Sequence, residues 1–228
     1  MPRVRVSACV PHWWRPEPRS RPTGLEAGDN RIPTLERAIA HVGRNPTDHA
    51  FYVVVDIANV GGMNAEHSKS KVNHQVLHAF ATILRDRLRK IGKRSQLSVS
   101  GFRHGGDELS FVLVGTGLSE AAVQTAMAEA QAQVRQAATI AGLMNTPPLK
   151  KGRPPGTGIY FHIAPIPGDS HIPTLLDAAD HALEMKKHGA DGGKHASAQP
   201  IVAARGHRAA GWSRAVFWAR SAPSGEER

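Results

Sequence analysis

The chain has 228 residues, 40% of them hydrophobic, which is enough for a core, and no apolar run approaches the length of a membrane span. Its single cysteine, Cys9, excludes an internal disulfide framework and points to a reducing, cytoplasmic compartment. The net charge of +10 favours anionic partners, but no helix-turn-helix, zinc-finger or RNA-binding signature accompanies it, so specific nucleic-acid binding is not expected.

Residues 1–20 hold Pro11, Pro16 and Pro18 around Trp13 and Trp14 and read as a basic arm without regular structure. Pro33 to Val42 reads as a helix capped by Thr34, with Leu35, Ala38, Ile39 and Val42 on one face. Phe51 to Ile57 is a β-branched run and predicts a buried strand that ends on Asp56. A carboxylate there is costly unless it is paired, caps the strand end or binds a metal. Gly61-Gly62 reads as an open loop. Val72 to Ile91 predicts one long helix, because Val76, Phe80, Ile83, Leu84, Leu88 and Ile91 recur at helical spacing.

Ser98 to Val114 is the centre of the chain. Two apolar, alternating runs flank Gly105-Gly106, a strong hairpin signal. The glycines remove every side chain beside the adjacent carboxylates Asp107 and Glu108, so a bulky anion can lie against the backbone. Neighbours on a strand face opposite ways, so these two acids need not do one job. A bare turn with carboxylates beside it suits a metal-bound nucleoside triphosphate; a charged hairpin that blocks edge pairing is the plainer alternative.

Ser119 to Ala141 predicts a second long helix, residues 145–157 an exposed Pro-rich loop, Gly158 to Ile163 a strand, and Thr174 to His188 a helix ended by Gly189. The tail, 196–228, is basic and flexible in character. His74 and His78 stand at the spacing of a zinc pair, but nothing completes that site. The order of elements implies an α+β fold, an antiparallel sheet covered by helices, over residues 21–195.

The run Arg103-His104-Gly105-Gly106-Asp107-Glu108-Leu109 resembles the signature of the GGDEF family, the diguanylate cyclases, with Leu109 where phenylalanine is usual. Pro22-Thr23-Gly24-Leu25 with Asn30-Arg31 is similar to the start of that domain, and Ala179-Asp180-His181-Ala182-Leu183 with Lys187 to its end. The resemblance implies a palm-like, ferredoxin-related nucleotidyl cyclase fold. It also implies condensation of two GTP into cyclic di-GMP, with Mg²⁺ or Mn²⁺, across a homodimer.

Residue by residue, the resemblance makes Asp56 and Asp107 metal ligands, with support from Glu108 and the Ile57 carbonyl. Asp107 is also the implied base for the attacking hydroxyl. Asn64 takes the place of a guanine reader, Gly105 and Gly106 lie along the nucleotide, and Lys187 contacts the phosphates. After a one-residue insertion, His74 stands where the family has the aspartate that pairs with guanine, and Asn73 where it has glycine. Ala58 replaces a second aspartate, and Ala190-Asp191-Gly192 replaces a Gly-Arg-Asn, which leaves Lys186 or Lys194 as a second phosphate cation. Three readings follow: a diguanylate cyclase, a cyclase with altered base selectivity, and a domain that binds GTP or a cyclic dinucleotide without turnover.

Overall fold

The computed structural model describes residues 23–91, 97–148 and 155–190, the side chains of 189 and 190 excepted. The arm at 1–20 and the tail at 196–228 lie outside the described residues, as do Gln96, Asp191 and Lys194. Five strands form one sheet in the order β1-β3-β4-β2-β5: β1 is Glu26–Ala27, β2 Asp48–Ile57, β3 Ser98–Arg103, β4 Glu108–Thr116 and β5 Ile159–Pro165. The pairs β3–β4, β4–β2 and β2–β5 are antiparallel, whereas β1 runs parallel to β3. The sheet is therefore mixed, a correction to the expected antiparallel one. The extra strand lies in the stretch between Leu25 and Asn30, which pattern reading leaves unassigned.

β2 is an interior strand, between β4 and β5, and its alternation feeds two cores. Phe51, Val53, Val55 and Ile57 pack under α4 (His78–Lys90) and α5 (Glu120–Ile140). Tyr52 and Val54 pack under α1 (Arg31–Arg44) and α6 (Ile172–Ala190). Several elements differ from expectation. α1 begins at Arg31, because proline is tolerated in a first helical turn; Thr34 is inside the helix and its hydroxyl donates to the Asn30 carbonyl at 2.9 Å. α6 runs through Gly189 to Ala190. α5 is capped as expected, with Ser119 Oγ accepting from the Ala122 N–H at 3.2 Å.

Gly61-Gly62 is not an open loop. It lies in the short helix α2, Val60–Glu66, which starts from Asn59 in the left-handed region at φ 59. That backbone aims the Asn59 amide at a loop far along the chain. Its Nδ2 donates to the carbonyls of Thr146 at 3.1 Å and Gly156 at 3.0 Å. Thr146 and Gly156 are thus held against the start of α2, and Thr146 is 2% exposed. Gly62 makes the approach possible, because a Cβ there would collide with Asn59 Oδ1 and the Pro147 carbonyl.

The long helix expected from Val72 also begins differently. α3 (Lys69–Lys71) leads into a π-helical turn, Val72–Leu77, before α4. A residue added to a helix is absorbed as such a turn.

Two predictions follow from this packing. Gly62→Ala should cost about 1–3 kcal/mol through overpacking, whereas Gly106→Ala, whose Cβ would meet nothing within 4 Å, should stay within about 0.5 kcal/mol of the parent. Urea denaturation compares them. The second concerns His104 and His162, which burial pushes down to about 4, in His162 with help from the Lys186 charge. The native state then binds fewer protons than the unfolded chain, so stability present above the ordinary value of 6.5 is lost as pH falls toward about 4. Replacing both with glutamine should flatten that loss in denaturation curves across the same window.

Candidate functional site

Asp56 closes the apolar run of β2 and is 6% exposed. On either side it pairs with Glu108 of β4 and Tyr160 of β5. A carboxylate so enclosed needs a counter-charge. α6 supplies one: Lys187 Nζ lies 2.9 Å from Asp56 Oδ2 and 2.7 Å from Glu184 Oε1. Burial raises the Asp56 carboxyl above the ordinary carboxylate range, Lys187 draws it back, and the charges of Asp107 and Glu108 push it up again. Burial works against the Lys187 ammonium, but its bonds to Glu184 and Asp56 hold it above its usual value.

The hairpin tip reaches the same strand end. The His104 N–H donates to the Glu108 carbonyl at 3.0 Å and closes a turn of Gly105, Gly106 and Asp107. Asp107 is therefore in the turn rather than on the strand. The Ile57 N–H donates to the Asp107 carbonyl at 3.0 Å, which ties the turn to the end of β2. Arg103 braces the turn from within: Nε donates to the Gly105 carbonyl and Nη2 to the Gly106 carbonyl, both at 3.0 Å. Around Gly106 there is open space, and a Cβ on Gly105 would approach only Glu108 Oε2, at 3.6 Å. The two glycines present bare backbone to solvent.

Asn64 is half-buried on α2, and its Oδ1 is buried without a partner among the described residues. A buried amide oxygen calls for a donor, which a bound ligand can provide. His74 is exposed on the π-helical turn. The residue before it, Asn73, makes the link to the hairpin: its Oδ1 accepts from Arg103 Nη2 at 2.9 Å. Lys186 turns away from Asp56, donating to the Phe161 carbonyl at 2.8 Å with its ammonium over the Phe161 ring.

Sequence reasoning missed Asn59 and Asn73. The signal for Asn59 was available, since asparagine is the non-glycine residue that best tolerates the left-handed region. For Asn73 the deciding feature, the π-helical turn, leaves no mark in a pattern of apolar positions.

Among the described residues no three acidic, histidine or cysteine side chains converge closely enough to hold a metal ion. The donor chemistry nevertheless fits a hard divalent cation. Asp56 and Glu108 stand opposite each other at neighbouring strand ends, Asp107 lies in the adjoining turn, and Asp56 already draws a cation, the Lys187 ammonium.

No protein-family model and no curated protein matches the sequence. Solved structures do. The GGDEF domain of DgcB from Caulobacter crescentus, in complex with c-di-GMP, is similar with a TM-score of 0.57 and 17% identity, over 77% of this chain and 92% of that one. The FimX GGDEF domain from Pseudomonas aeruginosa gives 0.53 and 14%, over 76% and 96%. The diguanylate cyclase SiaD from Pseudomonas aeruginosa, in complex with its activator SiaC, gives 0.54 and 15%, over 75% and 58%. No described helix is long and apolar enough to cross a membrane. A five-stranded sheet covered by helices is what these structures match: the chain has the fold of the GGDEF domains.

Proposed function

We propose that this chain binds GTP where the hairpin tip meets the end of β2, and that two protomers face to face condense two GTP into cyclic di-GMP. One observation carries the reading: a buried carboxylate, Asp56, is joined to the bare Gly105–Gly106 turn through the Ile57 N–H and the Asp107 carbonyl. The c-di-GMP bound to DgcB and the likeness to the diguanylate cyclase SiaD support it. The expected setting is the cytoplasm.

In this reading the turn lets the triphosphate lie along backbone, and Lys187 offers its ammonium to the phosphates from α6. Asp107 accepts the proton of the 3′-hydroxyl. That oxygen bonds to the α-phosphorus of the partner's GTP, whose bond to pyrophosphate breaks, and the exchange occurs twice per product. Asp56, Asp107 and Glu108, with the Ile57 carbonyl, would hold Mg²⁺ or Mn²⁺, which when bound neutralises triphosphate charge and acidifies the hydroxyl. Base choice is weakly enforced, because Asn73 spends its carbonyl oxygen on Arg103 and brings no carboxylate to pair with the guanine donors. Mixed purine products are therefore expected beside cyclic di-GMP.

A second reading is a domain that binds nucleotide without turnover. The Lys187–Asp56 ion pair favours it, since an ammonium already compensates the carboxylate.

Purified protein incubated with Mg²⁺ and GTP, then with GTP and ATP, should yield a cyclic dinucleotide by mass spectrometry, lost in Asp107→Ala. GTP bound but unconverted at every protein concentration would select the second reading. A separate prediction concerns the ion pair. Lys187→Met leaves a buried carboxylate without its partner, at a cost of about 3–5 kcal/mol near neutral pH. The Asp56 carboxyl then rises further, and the native state binds the extra proton. The deficit should therefore shrink as pH is lowered through the raised Asp56 value. Denaturation at neutral and mildly acidic pH reads the difference.

A further inference from the structure

β1 and β3 lie side by side and parallel, with Ala27 opposite Arg103. Past their C-terminal ends the chain turns into α1 on one side and into the hairpin on the other. Between these exits is an open cavity of about 560 Å³, lined by Gly28, Asp29, Arg31, Ile32, Arg103 and His104 among others. β4 separates it from β2, so it lies about two strand spacings, roughly 10 Å, from Asp56. One wall depends on Gly28, where a Cβ would come within 2.7 Å of His104 Nδ1.

The lining is chemically uneven. Arg31 donates from Nη1 to the Tyr52 hydroxyl at 2.9 Å, but its Nε is buried and has no partner among the described residues. A buried guanidinium N–H without an acceptor is costly, and a small movement of the side chain toward a bound oxygen would relieve it. Arg103 uses Nε and Nη2 on Gly105, Gly106 and Asn73, which leaves its Nη1 group outside those bonds. His104 Nε2 lies 2.6 Å from Ser110 Oγ, so that ring is spoken for. Asp29 is the one acid among the lining residues. Ile32, 37% exposed, forms an apolar flank.

We propose that this cavity is a second ligand site, which takes a phosphate group between Arg31 and Arg103 and an apolar or planar moiety against Ile32. Among the lining residues two guanidiniums stand against one carboxylate, with the charges of Asp180 and Asp107 also reaching Arg31 and Arg103, and arginine matches phosphate geometry. The volume is that of a small-molecule site and exceeds what a bare phosphate fills. Arg103 also holds the carbonyls of Gly105 and Gly106, so occupancy acts on the guanidinium that braces the hairpin tip. The ligand is thereby an input to the turn, independent of whether the Asp56 site turns over.

Calorimetric titration of the full chain with inorganic phosphate, pyrophosphate and a nucleoside monophosphate tests this. Asp29→Asn should tighten binding about threefold, and Ile32→Glu, a surface change at a helix start that accepts acids, should weaken it about tenfold. Asp56→Ala should leave phosphate binding within about twofold. Binding of inorganic phosphate alone would make free phosphate the ligand; heat only with the nucleotide would make the phosphate ester the ligand. The proposal is overturned if neither cavity variant changes the affinity, if Asp56→Ala abolishes it, or if no probe binds at up to about 10 mM. Failure to form a cyclic dinucleotide, with these shifts intact, would count against the cyclase reading alone.

Discussion

Everything near the hairpin follows from placing a carboxylate at the end of a buried interior strand. β2 is flanked on both sides and packed on both faces, so Asp56 has neither an edge nor open water to relieve it. The fold answers with a lysine from α6, the last described helix, and with a hydrogen bond that draws the Asp107 carbonyl to the neighbouring Ile57 N–H. An apolar residue at Asp56 would serve packing better, because a buried ion pair is seldom a net gain over well-packed hydrophobic side chains. A charge kept in such a place is best accounted for by something it binds.

The remaining devices hold backbone rather than side chains. Arg103 grips two carbonyls of the Gly105–Gly106 turn, so glycines that would otherwise be free to sample many conformations present one surface. Asn59 does the same for the loop before β5, and Gly62 clears the space it needs. Both anchors stand next to the candidate site, and both join parts of the chain that are distant in sequence. The site is thus assembled on fixed backbone, and its openness above Gly106 is a property of the fold.

Long periodic segments were legible in the sequence: α5, β2 and the hairpin with its Gly-Gly signal stand where pattern places them, and α4 lies inside the helix expected from Val72 but starts only at His78. So was the pairing of Asp56 with the hairpin acids, because a motif names both. What escaped was decided by single residues against their propensities. Two adjacent glycines argue for a loop, yet Gly61 and Gly62 sit in α2, since the Asn59 contact outweighs their entropic cost. Two residues, Glu26 and Ala27, are too few to show a period, yet they add a parallel strand.

The π-helical turn bears most directly on chemistry. A helix that takes in an extra residue must shift every side chain on one side of the insertion by about a quarter turn. Counting along the sequence puts His74 toward the base, but the wide turn leaves His74 in solvent and carries Asn73 to Arg103. The group that faces the hairpin is therefore a neutral amide whose oxygen is already engaged. Its remaining donors suit an acceptor on a base edge, whereas a carboxylate would suit the two donors of guanine. The same Arg103 hydrogen-bonds this amide and the Gly-Gly turn and also lines the cavity between the exits of β1 and β3. A change at any of the three is felt by the other two through one guanidinium.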